Sequence, residues 1–88
     1  IKAVFITHLI GLSSNVEKVK DIFPNALILE DVCESHGATF NNKKLGTFGI
    51  MSNFSFYYAH HMSTIEGGMI STNSKKIYDI LSYFILFF

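Results

Sequence analysis

Residues 54–68 (FSFYYAHHMSTIEGG) contain two adjacent histidines, two serines and a Glu-Gly-Gly turn. An imidazole where a strand meets a loop is suited to proton transfer near neutral pH, although such a histidine is often only structural. Because side chains alternate along an extended segment, we expect the His60 and His61 rings to point to opposite faces. That arrangement disfavours a shared metal ion, and no metal site is predicted.

Two carboxylates form a second group of candidates. Asp31 follows the apolar run 26–29, and Glu34 comes three residues later. Folds of the α/β class place ligand-binding groups at the carboxyl ends of strands, although a turn or cap residue fits the same pattern. The Ser55 hydroxyl could contact a phosphate or only satisfy local backbone groups. We expect Cys33 to be structural, because negative neighbours raise the pKa of a thiol.

The elements that must position these residues follow from the hydrophobic pattern. Strands are predicted at 3–7, 26–29, 51–58 and 69–72, with a turn-and-hairpin segment between 33 and 49. A helix capped by Ser14 or Asn15 ends at Pro24, and a second helix capped by Asn73 or Ser74 begins near Lys75. Strand, helix and strand within about thirty residues predict an α/β fold with a mostly parallel sheet, the last strand being antiparallel to its predecessor.

Composition limits the class of protein. The 88 residues have a formal net charge of zero and are 49% hydrophobic, which argues against nucleic-acid or anionic-membrane partners. The single cysteine favours a reducing compartment, so the cytoplasm is the expected location. The apolar tail 77–88 is shorter than the roughly 20 residues of a membrane span. We expect there a buried helix cut off from its context, and an interfacial anchor is the alternative.

Four short motifs carry a resemblance to a known family. They are EDVCESHGA (30–38), GTFG (46–49), FSF (54–56) and EGGMI (66–70). In this order and spacing they resemble the DegT-type nucleotide-sugar aminotransferases, which bind pyridoxal phosphate on the aspartate aminotransferase fold. The resemblance implies that 1–76 is part of the cofactor-binding large domain and that 77–88 diverges from the family. It also implies a fragment of an enzyme that is a homodimer at full length.

The resemblance assigns roles to four residues. His60 occupies the position of the family's Schiff-base lysine, and a histidine there resembles the sugar 3-dehydratase branch, in which it is the catalytic base. Asp31 matches the partner of the cofactor's pyridinium nitrogen, Glu34 lies beside the cofactor ring, and Ser55 matches a phosphate ligand. The working cofactor would be pyridoxamine phosphate, regenerated from pyridoxal phosphate with glutamate as amino donor.

The implied reaction is removal of the 3-hydroxyl group from a nucleotide-linked 4-keto-6-deoxy sugar. Such a lyase would serve deoxysugar and lipopolysaccharide O-antigen biosynthesis. Two alternatives stay open: a sugar 4-aminotransferase fragment, and an inactive remnant with no catalytic role. We expect the 88-residue chain alone to be inactive.

Overall fold

The computed structural model of this chain describes residues 1–87, which form one four-stranded sheet, one short hairpin and two helices. In chain order the elements are β1 (Ala3–Thr7), α1 (Val16–Ile22), β2 (Leu27–Asp31), β3 (Thr39–Phe40), β4 (Lys43–Lys44), β5 (Met51–Ser55), β6 (Gly68–Thr72) and α2 (Lys75–Phe87). The predicted strand, helix and hairpin segments are therefore all present.

The large sheet has the strand order β1-β2-β5-β6, and β3 pairs with β4 as a separate hairpin. The first three strands of the large sheet are parallel, and β6 runs antiparallel to β5. This confirms the prediction of an α/β fold with a mixed, mostly parallel sheet. The three parallel strands bring their carboxyl ends to one edge, where α/β folds place ligand sites.

The ends of two strands differ from the prediction. Asp31 is the last residue of β2, because it still pairs with Thr7 of β1 and with Asn53 of β5. The strand β5 ends at Ser55 instead of continuing to residue 58. The histidines at 60 and 61 therefore lie well beyond the end of a strand.

The helix α1 begins at Val16 because Asn15 caps it. The Asn15 side chain accepts a hydrogen bond from the Lys18 amide at 3.0 Å, which satisfies one of the free N–H groups of the first turn. Val16 is fully buried and packs with Ile6 and Ile28 in the core. This core lies between α1 and one face of the sheet.

Strand side chains alternate between faces, so the register defines a second, open face of the sheet. It carries Phe5, Leu27, Asp31, Asn53 and Ser55. Phe5 and Leu27 are 58% and 53% exposed there. Part of the sequence's apolar excess therefore lies on the same face as two predicted site residues.

The apolar tail forms the body of α2, which begins after Ser74. The Ser74 hydroxyl accepts a hydrogen bond from the Ile77 amide at 3.3 Å, and Tyr78, Tyr83 and Leu86 are more than half exposed. The tail is thus helical, and its burial in a larger context stays a prediction. Neither helix of residues 1–87 has the length and apolarity that a membrane span requires.

Candidate active site

Asp31 lies at the carboxyl end of β2 on the open face. Its Oδ1 atom accepts hydrogen bonds from the Cys33 amide at 3.0 Å and from Asn53 Nδ2 at 3.2 Å. No N–H group of the described residues donates to the second oxygen, Oδ2. The carboxylate is therefore fixed through one oxygen and can accept a further donor at the other.

The Cys33 thiol lies beside this carboxylate and is not activated. Burial raises its pKa from 9.0 to about 11, and hydrogen bonding and charge repulsion from Asp31 act in the same direction. A thiol with so high a pKa carries almost no thiolate near neutral pH. This agrees with the prediction of a structural cysteine, although burial has a larger effect than the negative neighbours.

Ser55 ends β5 on the same face as Asp31, because its neighbour two residues earlier, Asn53, is paired with Asp31. The Ser55 hydroxyl oxygen accepts a hydrogen bond from the Tyr57 amide at 3.2 Å. In this contact the hydroxyl is the acceptor, so its own proton can be donated to an anion. Ser55 is thus placed at the strand-end edge where a phosphate ligand is predicted.

Glu34 makes a contact that the sequence did not predict. Its Oε2 atom accepts a hydrogen bond from the Ile10 amide at 3.0 Å. Ile10 has a φ angle of 48°, in the left-handed region that a branched residue rarely adopts. Glu34 therefore holds the loop after β1 in a strained turn next to the strand ends.

The two adjacent histidines lie in an irregular turn. The His60 amide donates a hydrogen bond to the Tyr57 carbonyl at 3.0 Å. The His60 and His61 rings both face His36, at centroid distances of 6.3 and 5.8 Å. The prediction that they point to opposite faces was wrong, because it assumed a strand that in fact ends at Ser55. Residues 1–87 nevertheless contain no group of His, Cys, Asp or Glu side chains that could hold a metal ion.

His36 lies at the centre of this cluster. Its ring also packs against Phe54 and Phe56, at centroid distances of 5.7 and 5.8 Å. Both ring nitrogens are buried and have no hydrogen-bond partner. Burial, and then the nearby His61 and His60 rings, lower the pKa of His36 from its ordinary value of 6.5. His36 is therefore a neutral imidazole with two unused polar atoms.

A buried carboxylate that sequence reasoning missed organises the edge of the site. Glu30 is fully buried on the α1 side of the sheet. It accepts hydrogen bonds from the backbone amides of Gly46, Phe48 and Gly49 at 2.6–2.8 Å. The GTFG motif thus forms a loop whose backbone amides bind the Glu30 carboxylate. The only signal in the sequence was the position of Glu30 beside Asp31, which gave no hint of burial.

The fourth partner of Glu30 is His8, also fully buried, whose Nε2 lies 3.2 Å from Glu30 Oε1. His8 Nδ1 accepts a hydrogen bond from the Ser14 amide at 3.1 Å, and an amide can only donate. His8 is therefore the neutral tautomer with its proton on Nε2, where it donates to Glu30. The pair joins the 8–14 loop to the GTFG loop behind the strand ends.

The structure brings the predicted residues near one another only in part. Asp31 and Ser55 end adjacent strands on one face. Ser55 and His60 are linked through Tyr57, whose amide donates to Ser55 Oγ and whose carbonyl accepts from the His60 amide. No hydrogen bond of the described residues joins any two of the four predicted site residues.

Comparison with curated proteins finds close relatives. The chain is 48% identical, over 82 residues, to GDP-4-keto-6-deoxy-D-mannose 3-dehydratase of Escherichia coli O55:H7, with 91% of this chain and 21% of the relative covered. It is 36% identical, over 85 residues, to GDP-perosamine synthase of Escherichia coli O157:H7, covering 94% of this chain and 23% of that protein. The chain thus spans about one fifth of the length of these relatives.

Solved structures agree in fold. One is an E. coli GDP-4-keto-6-deoxy-D-mannose-3-dehydratase with bound hydrated PLP. It superposes with a TM-score of 0.85 at 48% identity, covering 91% of this chain and 21% of that chain. The motifs THLIGLS, EDVCESHGA and HHMSTIEGG had indicated a resemblance to this dehydratase, and the match confirms it.

The family assignment rests on a match to the whole described chain. The model of the DegT/DnrJ/EryC1/StrS aminotransferase family covers residues 1–87. The division into a cofactor-binding part at 1–76 and a divergent tail at 77–88 stays a prediction. The chain belongs to the DegT/DnrJ/EryC1/StrS aminotransferase family.

Proposed function

We propose that this chain is the cofactor-binding segment of a GDP-sugar 3-dehydratase that removes the 3-hydroxyl group of GDP-4-keto-6-deoxymannose. The observation that carries the proposal is His60, a histidine at the position that the family resemblance gives to the Schiff-base lysine. The 48% identity to a dehydratase, against 36% to a perosamine synthase, supports the same choice.

The residues of the open face fit a pyridoxal or pyridoxamine phosphate. Asp31 Oδ2, to which no N–H group of the described residues donates, is a suitable acceptor for a pyridinium N–H, and the Ser55 hydroxyl can donate to a phosphate oxygen. When bound, the cofactor would supply an electron sink for breaking bonds next to the sugar's 4-keto carbon. An ionised Asp31 would keep the ring nitrogen protonated, which that role requires.

His60 would act as base and acid without covalent attachment. An imidazole cannot form the stable link to an aldehyde that a lysine amine forms, so noncovalent contacts must hold the cofactor. A neutral imidazole can accept a proton at one ring nitrogen and return it from the same atom. We infer that His60 removes the proton that starts elimination, and that glutamate resupplies the amino group consumed in each cycle.

The main alternative is transfer of an amino group to the 4-keto carbon, as the name of the perosamine synthase relative suggests. A lysine at position 60 would favour that reaction, and the histidine argues against it. An inactive remnant is the remaining alternative. The single cysteine is in keeping with a cytoplasmic location, and the resemblance favours a homodimer; both stay part of the proposal.

The identity of the product tests this function. A chimera of the E. coli O55:H7 dehydratase, in which this chain replaces the segment that it matches, supplies the rest of the fold. With GDP-4-keto-6-deoxymannose, pyridoxal phosphate and glutamate, we expect a sugar nucleotide that has lost the 3-hydroxyl group, detected by mass spectrometry. A 4-amino sugar that keeps this hydroxyl would contradict the proposal, and a chimera that binds cofactor without turnover would favour the remnant.

Asp31→Asn in the chimera is expected to weaken cofactor binding by about ten- to a hundredfold, because a hydrogen bond to a charged group contributes roughly 1.5–3 kcal/mol. The amide keeps the size of the side chain and an oxygen for the Asn53 contact, but it removes the charge. Titration with pyridoxamine phosphate, followed by absorbance, measures the effect. Asp21→Asn, an exposed carboxylate on α1, is the matched control. Equal affinities in the two variants would show that Asp31 does not pair with the cofactor.

A further inference from the structure

His36 has an arrangement that a packing role does not explain. A neutral imidazole carries one donor and one acceptor, and both ring nitrogens of His36 are buried without a partner. Leaving a buried polar group without a hydrogen bond is destabilising. A phenylalanine would fill the same space between Phe54 and Phe56 without that penalty. The two His36 ring nitrogens therefore require a polar partner.

Within residues 1–87, two polar side chains have their rings against His36, and these are His60 and His61. His61 is exposed, so water can satisfy its nitrogens, whereas His60 is partly buried. Among the described residues, no hydrogen bond fixes the His60 ring; its contacts are ring packing with His36 and Tyr57. Of the two histidines, His60 is therefore the one whose ring a hydrogen bond to His36 would fix.

A histidine that acts as a base, as proposed for His60, needs a hydrogen-bond partner at one of its ring nitrogens. Which nitrogen of an imidazole is free to accept a proton is set by the hydrogen bond that the other nitrogen makes. In many catalytic sites a third group orients the base in this way. A free His60 would divide its population between two tautomers and several ring orientations.

We propose that His36 is a positioning residue for His60. The two rings pack at a centroid distance of 6.3 Å without a hydrogen bond between them, and a small reorientation would let a free His36 nitrogen pair with His60 and hold it in one ring orientation and one neutral tautomer. This inference rests on the proposed role of His60 as the base. The other ring contacts of His36 are the apolar Phe54 and Phe56. A neutral His36 provides the hydrogen bond without adding a positive charge beside the base.

The first test is nitrogen-15 NMR of the histidine rings in the full 88-residue chain. We expect His60 to give two well-separated ring nitrogen shifts, as one dominant tautomer does. In His36→Phe these shifts should move towards each other, whereas His36→Asn, which keeps a polar partner, should preserve the separation. Averaged His60 shifts in the unsubstituted chain would overturn the inference without any variant. His61→Asn is the control and should leave His60 unchanged.

The second test uses kinetics of the cofactor-loaded chimera. His36→Phe is expected to lower kcat by up to about a hundredfold, the size of effect that misplacing a catalytic group can have, with little change in KM. His36→Asn should restore much of the loss. Equal kcat values for His36→Phe and the parent chimera would mean that His36 has only a packing role.

Failure of this inference is distinguishable from failure of the proposed function. A product that keeps the 3-hydroxyl group would overturn the proposed function, whatever the NMR spectra show. A 3-deoxy product formed with unchanged kcat in His36→Phe would overturn only the role of His36.

Discussion

Replacing Glu30 by alanine is expected to lower the free energy of unfolding of this chain by about 4 kcal/mol or more, because four donors lose their acceptor and each unsatisfied donor costs roughly 1–3 kcal/mol. The side chain is fully buried and accepts three backbone amides and the Nε2–H group of His8. Alanine would leave all four donors without this acceptor. Since small domains have only roughly 5–15 kcal/mol of stability, we expect much of the variant to be unfolded.

Urea denaturation followed by circular dichroism measures this effect. Glu30→Gln should fall between the parent and Glu30→Ala, because the amide keeps one acceptor oxygen but turns an NH₂ group towards the amides of the GTFG loop. Glu17→Ala is the matched control: the Glu17 carboxylate is exposed and, within the described part of the chain, accepts a hydrogen bond from Asn41 alone. A surface contact of that kind contributes up to about 1 kcal/mol. If Glu30→Ala were as stable as Glu17→Ala, the GTFG loop would not depend on the buried carboxylate.

Replacing His60 by asparagine in the chimera is expected to reduce the rate of 3-deoxy sugar formation by about a hundred- to ten-thousandfold, the usual contribution of a general acid or base. Asparagine retains hydrogen-bonding atoms but cannot accept a proton near neutral pH. Cofactor affinity should change little, because Asp31 and Ser55 are proposed to hold the cofactor. The measurement is kcat under saturating substrate, together with a cofactor titration of the same sample.

His61→Asn is the control for this variant, since it changes the neighbouring imidazole of the same turn. It should retain most of the activity. Equal losses in the two variants would argue for a general effect on the turn and against a specific base at position 60. His60→Lys adds an independent check: a lysine there should bond to pyridoxal phosphate and become trapped by borohydride, and failure to trap cofactor would count against the assigned position.

The order and type of the main elements could be predicted because their local signals agreed with the tertiary structure. The apolar runs became β1, β2, β5 and β6, and an Asn-led cap with a following proline bounded α1. The end of β2, in contrast, is set by pairing between strands and not by the local sequence pattern. Asp31 remains in β2 because both neighbouring strands pair with it, and no sequence pattern around residue 31 encodes that.

For the candidate site, the sequence could indicate individual residues but not how all of them are arranged in space. Asp31 and Ser55 share a face because strand alternation and register place them there, and alternation can be read from a sequence. The turn that directs His60 and His61 towards His36 cannot be read from the sequence. Its course depends on hydrogen bonds such as that from the His60 amide to the Tyr57 carbonyl. The assigned chemical roles came from the family resemblance and stay predictions.

Glu30 shows why buried polar networks escape sequence reasoning. A glutamate at the end of a strand is usually solvated, and only the tertiary structure shows that three amides of a distant loop surround this one. The same holds for His8, whose tautomer follows from a contact with Ser14. Both residues lie behind the strand ends and fix the two loops that border the site.

The most direct test of a 3-dehydratase is to follow the nitrogen atom of the amino donor. The chimera is supplied with nitrogen-15-labelled glutamate, pyridoxal phosphate and GDP-4-keto-6-deoxymannose, and both the ammonia and the sugar nucleotide are analysed by mass spectrometry. We predict that the label appears in free ammonia and that the sugar lacks both the label and its 3-hydroxyl group. A labelled 4-amino sugar that retains the 3-hydroxyl group would contradict the proposed function.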